Sequence, residues 1–395
     1  MENKKFTFIL IVVSFMLLFS GVYIVASSEE PIKIGFSSPL SPPGDYESGM
    51  INLRTANLAI EELNSKGGVL GREVNLVIGD DEGKPAVGVS IAKKLITEDK
   101  VSAIVGIWHG SVAVAQAKVA NDYKVPIMAH YSWPDEFTSN HWEYVFRVSP
   151  FNSQIAELII PFIEKKGYKY IVVMAEDSDY GIGFADSFVK LASDQGIKAT
   201  KDVFPSDAID FTPQLLKIKS KEPKPDLIIV STVYRAGYLI PKQAYEQGLT
   251  PETEIMAGWD YPGWSPSWWP TVGEAGVGIM YPTFYCSRLE MLEKGKHFQQ
   301  MYEEKFSQEP PIYAYFLYDE IMILADAMER AGSSDPQKIA DALKSTKYEG
   351  TTGIITFERR EGPGPVWNQW MGHQLFIIQY TKEGQSQTEA NIVYP

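Results

Sequence analysis

The chain has 395 residues, 45% of them hydrophobic, and a formal net charge of −14 at pH 7. That length allows two or three domains, each with a full hydrophobic core. The negative charge argues against a nucleic-acid partner, because phosphates are bound by cationic surfaces. The single cysteine, Cys286, excludes an intrachain disulfide.

The first 28 residues have the layout of a secretory signal. Lys4 and Lys5 precede an uncharged, mostly apolar run at 6–25, and small residues follow at 26–28. The run is also long enough to span a bilayer, so an uncleaved N-terminal anchor is the alternative. In both cases we predict an extracytoplasmic location, in the periplasm or at the cell surface, with membrane contact only through this segment.

Strand and helix patterns alternate from residue 31 to about 150. Predicted strands lie at 32–36, 74–78, 101–107 and 125–129, predicted helices at 50–63, 86–95 and 112–122, and a short extended link at 144–148. The stretch 101–135 forms a βαβ unit, whose two strands should be parallel and joined by a right-handed connection.

The alternation starts again after residue 150. Predicted helices lie at 155–165, 180–194, 211–219 and 236–247, and predicted strands at 170–174, 199–204, 227–231, 254–257 and 277–280. A tryptophan-rich loop occupies 258–269, helices follow at 289–306, 314–331 and after 336, and the tail has strands at 354–357 and 374–380. This repetition predicts an α/β protein of two lobes, each a mainly parallel sheet flanked by helices.

Two loops of the βαβ unit carry groups suited to a small ligand. His109-Gly110-Ser111 follows the first strand and opens a helix, and Tyr131-Ser132-Trp133-Pro134 follows the second strand. Loops at the carboxyl ends of parallel strands are where open α/β sheets bind ligands, and a helix N-terminus favours an anion. The alternative is two surface turns whose aromatic side chains are covered by neighbouring loops.

The sequence contains no convincing catalytic or metal-binding motif. It lacks a GxSxG elbow and a phosphate-binding Walker loop, and its five histidines are not at metal-ligand spacing. We therefore expect a binding protein rather than an enzyme, with no cofactor and no metal. A hydrolase without an identifiable nucleophile is the remaining enzymatic alternative.

Several motifs in order resemble the leucine/isoleucine/valine-binding protein family. ELNSKGGVLGR, DDEG and DYGIGFA are specific as a combination, and IKIGFSSPL, AIVG and YVFRVSP add to it, so that the resemblance covers nearly all of 32–350. This family comprises the extracytoplasmic solute receptors of branched-chain amino-acid ABC transporters, with the type I periplasmic-binding fold.

The resemblance implies two hinged lobes joined by three crossings. We place the crossings near 148–151, 281–285 and 350–354. Lobe one is then about 31–149 plus 284–351, and lobe two is about 150–283 plus 352–395. The ligand would lie between the lobes, and an ABC permease in the membrane would be the protein partner.

The resemblance also implies ligand contacts. The ligand carboxylate would bind at the first loop, where Gly110 is the best-matched position. Ser111 or a backbone N–H would there donate the hydrogen bond to the carboxylate. The ligand ammonium would bind Asp260. Aromatic residues and a second hydroxyl complete the predicted ligand-binding set: Tyr46, Trp108, His109, Gly110, Ser111, Tyr131, Ser132, Tyr180, Tyr234, Trp259 and Asp260.

This sequence departs from the family in its tryptophans. Trp108, Trp133 and Trp259 stand where family members often have smaller residues. Aromatic rings beside an acid can cage a cation, or they can narrow a pocket around an apolar side chain. The expected ligand is a small amphipathic molecule, with a branched-chain or other hydrophobic amino acid preferred. The alternative ligands are an aromatic acid, an amide or a quaternary amine. The alternative role for the protein is a membrane-anchored sensory domain.

Overall fold

The structure is a computed structural model that describes residues 30–233, 235–284 and 291–395. Its strands are β1 Ile32–Ser38, β2 Val74–Asp80, β3 Ile104–Val105, β4 Ile127–Ala129, β5 Val145–Arg147, β6 Tyr170–Glu176, β7 Lys198–Phe204, β8 Leu227–Ser231, β9 Glu254–Ala257, β10 Met280–Thr283, β11 Lys347–Glu349, β12 Ile354–Thr356, β13 Glu358–Arg359, β14 Trp367–Gln369, β15 Phe376–Gln379 and β16 Asn391–Tyr394. The predicted signal segment and Cys286 lie outside the described residues.

The helices alternate with these strands. They are α1 Tyr46–Ser65, α2 Pro85–Thr97, α3 Gly110–Asp122, α4 Glu136–Ser139, α5 Asn152–Lys166, α6 Asp179–Asp194, α7 Thr212–Lys219, α8 Ala236–Glu246, α9 Tyr261–Trp264, α10 Trp268–Val272, α11 Glu293–Phe306, α12 Ile312–Ala331 and α13 Pro336–Leu343, with a 3₁₀ helix at Gly273–Gly276. Within the described part of the chain, no helix is long and apolar enough to cross a membrane.

Two seven-stranded sheets form the two lobes within the unit Pro31–Pro395. The first sheet has the order β13-β14-β5-β4-β3-β1-β2, and the second has the order β16-β15-β10-β9-β8-β6-β7. In each sheet the first five strands along the chain are parallel and have the spatial order 2-1-3-4-5. The predicted fold class, two mainly parallel sheets flanked by helices, is confirmed.

The chain passes between the two sheets three times. It leaves the first sheet after β5, returns after β10, and leaves again between β14 and β15. The first passage contains the predicted crossing at 148–151. Of the predicted crossing at 281–285, residues 281–283 belong to β10, so the second passage begins after Thr283. The third differs from the predicted 350–354, because β14 pairs with β5 and extends the first sheet before the chain crosses. By sheet membership, the change of lobe therefore falls between Gln369 and Phe376.

Local sequence explains where the main helices begin and end. Asp45 accepts a hydrogen bond from the backbone N–H of Ser48 and caps α1, which therefore begins four residues earlier than predicted. Helix α5 ends at Gly167, which has the left-handed conformation (φ 73°) that favours glycine. Helix α12 ends in the same way at Gly332.

The tryptophan-rich loop and the tail pack against each other in lobe two. The loop contains the short helices α9 and α10 rather than being irregular throughout. Trp268 is fully buried and its ring lies near that of Tyr380, while the Nε1–H of Trp269 donates to the carbonyl of Gln385. Trp268 and Trp269 therefore pack the loop against the tail.

Candidate functional site

A pocket lies between the two sheets, at the carboxyl ends of their parallel strands. It contains about 640 Å³ of space, including its opening to solvent. Both lobes contribute to its wall: Gly83, Trp108, His109, Gly110, Ser111, Tyr131, Trp133 and Pro134 from lobe one, and Glu176, Ser178, Asp179, Tyr180, Val233 and Trp259 from lobe two.

The start of α3 forms the polar part of the lobe-one wall. Gly110 and Ser111 are its first two residues, and His109 precedes them without making a side-chain capping bond. The first N–H groups of a helix have no intrahelical acceptor and carry partial positive charge, so this helix start can receive an anionic group. A side chain at Gly110 would meet Pro134 at 2.5 Å, which explains why glycine stands there.

Aromatic rings line the rest of the lobe-one wall. Trp108 and Tyr131 are stacked, with centroids 5.5 Å apart and planes at 13°. The Nε1–H of Trp108 donates to Asp45 over 3.2 Å, and the backbone N–H of Asp45 donates to Nε2 of His109 over 3.2 Å. Because His109 is buried, its pKa is lowered and the ring is neutral.

A buried arginine supports the loop that carries Tyr131 and Trp133. Arg147, at the end of β5, donates hydrogen bonds to the carbonyls of Ser132 and Pro134 and to the hydroxyl of Thr138. It also donates to Oε1 of Gln369 on β14. Burial lowers the pKa of Arg147 to about 9. The guanidinium thus fixes the loop to the sheet through several donors at once.

Lobe two contributes a buried acid to the wall. Glu176 is the last residue of β6 and has no exposed surface. Its carboxylate accepts hydrogen bonds from the hydroxyls of Ser178 (2.7 Å) and Thr232 (2.6 Å) and from the backbone N–H of Val233 (3.1 Å). Burial raises the pKa of Glu176, and these three donors oppose that effect.

The turn after Glu176 places Tyr180 against the opposite lobe. Ser178 caps α6 by accepting a hydrogen bond from the N–H of Gly181. This cap positions Tyr180 in the first turn of α6, where its ring meets Trp133 edge to face at 5.5 Å. Trp259 makes a second ring contact across the cleft, with Trp108 at 6.1 Å.

One buried hydrogen bond joins the lobes directly beside the pocket. The hydroxyl of Tyr131 in lobe one donates to Oδ1 of Asp260 in lobe two over 3.0 Å. Burial raises the pKa of Asp260 to about 7, partly opposed by this donated bond. The lobes are therefore in contact across the cleft, through pairs of aromatic rings and through the hydrogen bond between Tyr131 and Asp260.

The structure brings seven of the eleven predicted ligand-binding residues together in the pocket wall. These are Trp108, His109, Gly110, Ser111, Tyr131, Tyr180 and Trp259. Tyr234 lies outside the described residues. Tyr46, Ser132 and Asp260 lie outside the wall.

The three displaced residues have different environments. Tyr46 begins α1, is 51% exposed and lines a neighbouring groove beside Glu47 and Met50. Ser132 is buried with its carbonyl bonded to Arg147, because alternate residues of its loop, Tyr131 and Trp133, face the pocket. Asp260 is covered by the Tyr131 hydroxyl, so that the predicted ammonium partner is already occupied by a protein group.

The predicted set omitted other wall residues. They are Gly83, Trp133, Pro134, Glu176, Ser178, Asp179 and Val233. In the sequence, Trp133 stands out only as a departure from the family, and 176–179 lie between a predicted strand and a predicted helix. An acid at the carboxyl end of an otherwise apolar strand was the available signal for Glu176. Among the residues that the structure describes, no group of three acidic, histidine or cysteine side chains could hold a metal ion.

Comparisons with known proteins agree with this architecture. The family model described as periplasmic binding protein matches residues 31–385. A Leu/Ile/Val-binding protein homologue of Brucella abortus is 26% identical, covering 89% of this chain and 92% of its own. A leucine-, isoleucine-, valine-, threonine- and alanine-binding protein of Pseudomonas aeruginosa is 26% identical, covering 86% and 89%.

A solved structure shows the same fold. The leucine-binding protein LivK of Thermotoga maritima superposes with a TM-score of 0.79 at 27% identity, covering 91% of this chain and 97% of the other. The resemblance found in the sequence motifs is thereby confirmed over nearly the whole described chain. The chain belongs to the periplasmic binding protein family, in its leucine/isoleucine/valine-binding branch.

Proposed function

We propose that this protein is an extracytoplasmic receptor that captures a small amphipathic ligand and delivers it to an ABC permease. An apolar or branched-chain amino acid is the leading candidate. The observation that supports this most directly is a pocket walled by the strand ends of both lobes, with the start of α3 on one side and aromatic rings around it.

The pocket chemistry suits an amino acid. The N–H groups at the start of α3, with the hydroxyl of Ser111, would receive the ligand carboxylate. The rings of Trp108, Tyr131 and Trp259 would enclose the apolar side chain. The names of the relatives from P. aeruginosa and T. maritima, which include leucine, point to the same ligand class.

A quaternary or other organic amine is the second candidate. Five rings line the pocket, of Trp108, Tyr131, Trp133, Tyr180 and Trp259, and the wall also contains two acids, Glu176 and Asp179. Rings beside carboxylates favour a cation through the negative faces of their π systems. This candidate keeps the same receptor role with a different cargo.

Ligand capture would work through closure of the two lobes. A ligand that contacts α3 in lobe one and Tyr180 or Trp259 in lobe two makes all its contacts only when the lobes meet. Its binding free energy therefore shifts the equilibrium toward the closed form, which the permease would recognise. Export through the N-terminal segment would place the receptor outside the cytoplasm, either free or held by residues 6–25.

Titration calorimetry of a protein beginning near residue 29 tests this proposal. The panel comprises L-leucine, L-isoleucine, L-valine, L-phenylalanine, glycine betaine, acetamide and benzoate. We expect micromolar or tighter binding of at least one apolar amino acid, and a loss of roughly tenfold or more in Trp259→Ala, about 1.4 kcal/mol. The exposed Tyr123→Ala is the control and should bind as the wild type does.

Two results would change the proposal. Binding of glycine betaine alone would select the second candidate and retire the amino-acid assignment. Absence of binding by every panel member would overturn the proposed receptor role for these ligand classes.

A further inference from the structure

Two buried carboxylates of lobe two lie near the pocket, and they differ in their hydrogen-bond partners. Asp260 accepts the hydroxyl of Tyr131 from the opposite lobe and is not part of the pocket wall. Glu176 is part of the wall, and its three hydrogen-bond donors all come from its own lobe. Asp260 thus takes part in the contact between the closed lobes, whereas Glu176 is the buried acid that faces the ligand space.

The position of Glu176 in the sheet also favours ligand contact. In lobe two the strand order places β6 beside both β7 and β8, so that the connections after β6 and β8 diverge there. This divergence is the topological switch point, where open α/β sheets form their binding crevice. Glu176 ends β6 at this point, and Val233, in the connection after β8, lies in the wall with it.

The charge of Glu176 has no basic partner. Among the described residues, no lysine, arginine or histidine lies within ion-pair distance of its carboxylate; the ion pairs of the described chain lie elsewhere. Three hydrogen-bond donors orient the group and leave room for a further one, because a carboxylate can accept about four. A buried anion without a counter-ion is stabilised strongly when a cation arrives.

The opposite wall supplies hydrogen-bond donors. It contains the N–H groups at the start of α3 and the indole of Trp133. The Nε1–H of Trp133 is buried and has no hydrogen-bond partner among the described residues. The pocket therefore has donors on the lobe-one side and a carboxylate on the lobe-two side, with aromatic rings between them.

We propose that Glu176 binds the cationic group of the ligand, and that Asp260, which accepts a hydrogen bond from Tyr131, joins the lobes instead. This inference rests on the proposed function and specifies its ligand class: a small molecule with a primary or methylated ammonium group and an acceptor group at the other end. Such a ligand would connect the donors of lobe one to the acid of lobe two. Glu176 is then a specificity residue rather than only a structural one.

Binding of a matched ligand pair to three variants tests this assignment. L-leucine and 4-methyl-2-oxopentanoate share a skeleton and differ in the ammonium group. We expect Glu176→Gln to weaken leucine binding at least tenfold and the oxo acid less than threefold. Asp260→Asn should weaken both ligands by similar factors, because it alters lobe closure. Asp177→Asn changes an exposed acid in the same turn and should change neither.

Equal losses of both ligands in Glu176→Gln would mean that the residue only supports the fold, and an ammonium-selective loss in Asp260→Asn would return the role to Asp260. Either result overturns the inference and leaves the proposed function standing. Absence of binding of every member of the calorimetry panel to the wild-type protein would overturn both.

A crystal structure of the wild-type protein with leucine, or with glycine betaine if leucine does not bind, gives a test that needs no variant. We expect the ligand nitrogen to lie nearer to the Glu176 carboxylate than to Asp260, within roughly 3.2 Å for the primary amine of leucine. A nitrogen nearer to Asp260, with Tyr131 turned away, would contradict the assignment even where Glu176→Gln does not fold.

Discussion

Asp260 shows how burial of one side chain couples the cleft to pH. It is 2% exposed, and its partner in the opposite lobe is a neutral hydroxyl rather than a cation. Its pKa is raised by burial to about 7 in the folded protein, against about 3.9 for an unperturbed aspartate. The folded state therefore holds a proton that the unfolded chain releases throughout the range between these values.

This difference predicts a pH-dependent stability that Asp260→Asn removes. Because the folded state binds the extra proton, Asp260 contributes a loss of stability as pH rises from 5 to 7. Relative to Asp260→Asn, the loss should approach but not exceed about 1.4 kcal/mol per pH unit. Urea denaturation of both proteins at pH 5, 6 and 7 measures it. Parallel pH profiles would show that Asp260 titrates near its usual value when folded.

At the scale of the element, the β6–α6 connection determines where the lobe-two acid lies. The first turn of α6 is packed directly over the end of β6: a Cβ on Gly181 would lie 2.2 Å from the carbonyl oxygen of Glu176 and 2.8 Å from its Cγ. Two residues later, a Cβ on Gly183 would meet only the side-chain amide of Asn152, at 2.8 Å. That amide is the end of a side chain and can move.

These contacts predict opposite effects for two alanines in one helix. Gly181→Ala should lower the free energy of unfolding by about 1–3 kcal/mol, as overpacked substitutions do, and should weaken ligand binding because it displaces Glu176. Gly183→Ala should be neutral or stabilising by up to about 1 kcal/mol, since alanine favours the helix. Urea denaturation and calorimetry with the same ligand compare them. Equal stability of the two variants would contradict the close packing of α6 on β6.

The pattern of apolar residues was sufficient to predict most elements, and the misses have physical reasons. The run at 101–107 is apolar throughout, yet only Ile104–Val105 pairs as a strand, because apolar residues are equally suited to the buried loop that carries Trp108 to the pocket. The link at 144–148 contains β5, whose strand character comes from pairing with β4 and β14 rather than from its own pattern.

The candidate site was predictable where strand ends and loops follow each other in sequence. Trp108 to Ser111 and Tyr131 follow adjacent strands, and the strand order alone brings them together. The position of Asp260 was not predictable in this way, because its cover, Tyr131, comes from the other lobe 129 residues away. Glu176 lies between the predicted strand at 170–174 and the predicted helix at 180–194, and two of its three partners, Thr232 and Val233, are known only once β8 lies beside β6.

At the scale of the molecule, the two lobes repeat one strand order and face each other with the same strand ends. They meet through rings, with Trp108 on Trp259, Trp133 on Tyr180, and Trp264 on Tyr313 at 5.2 Å. The hydrogen bond from Tyr131 to Asp260 adds a directional contact to this apolar interface. Aromatic rings can slide over each other, whereas a hydrogen bond has a fixed geometry. The hydrogen bond between Tyr131 and Asp260 should therefore help to fix how the two lobes align when they close.

Removal of one hydroxyl should therefore shift the ligand-free protein toward the open form. Tyr131→Phe keeps the stack on Trp108 but removes the hydroxyl that donates to Asp260 from the opposite lobe, and the loss of a donor to a buried acceptor costs about 1–3 kcal/mol. That cost falls on the closed form alone, because water can reach Asp260 when the lobes separate, and it corresponds to at least a fivefold change in the open-to-closed ratio. Small-angle X-ray scattering of the ligand-free proteins should give a larger radius of gyration for Tyr131→Phe than for the wild type. The exposed control Tyr123→Phe should have the radius of the wild type. Saturating ligand should reduce the difference between Tyr131→Phe and the wild type. An unchanged radius, with both proteins equally compact before and after ligand, would mean that the rings alone hold the lobes together.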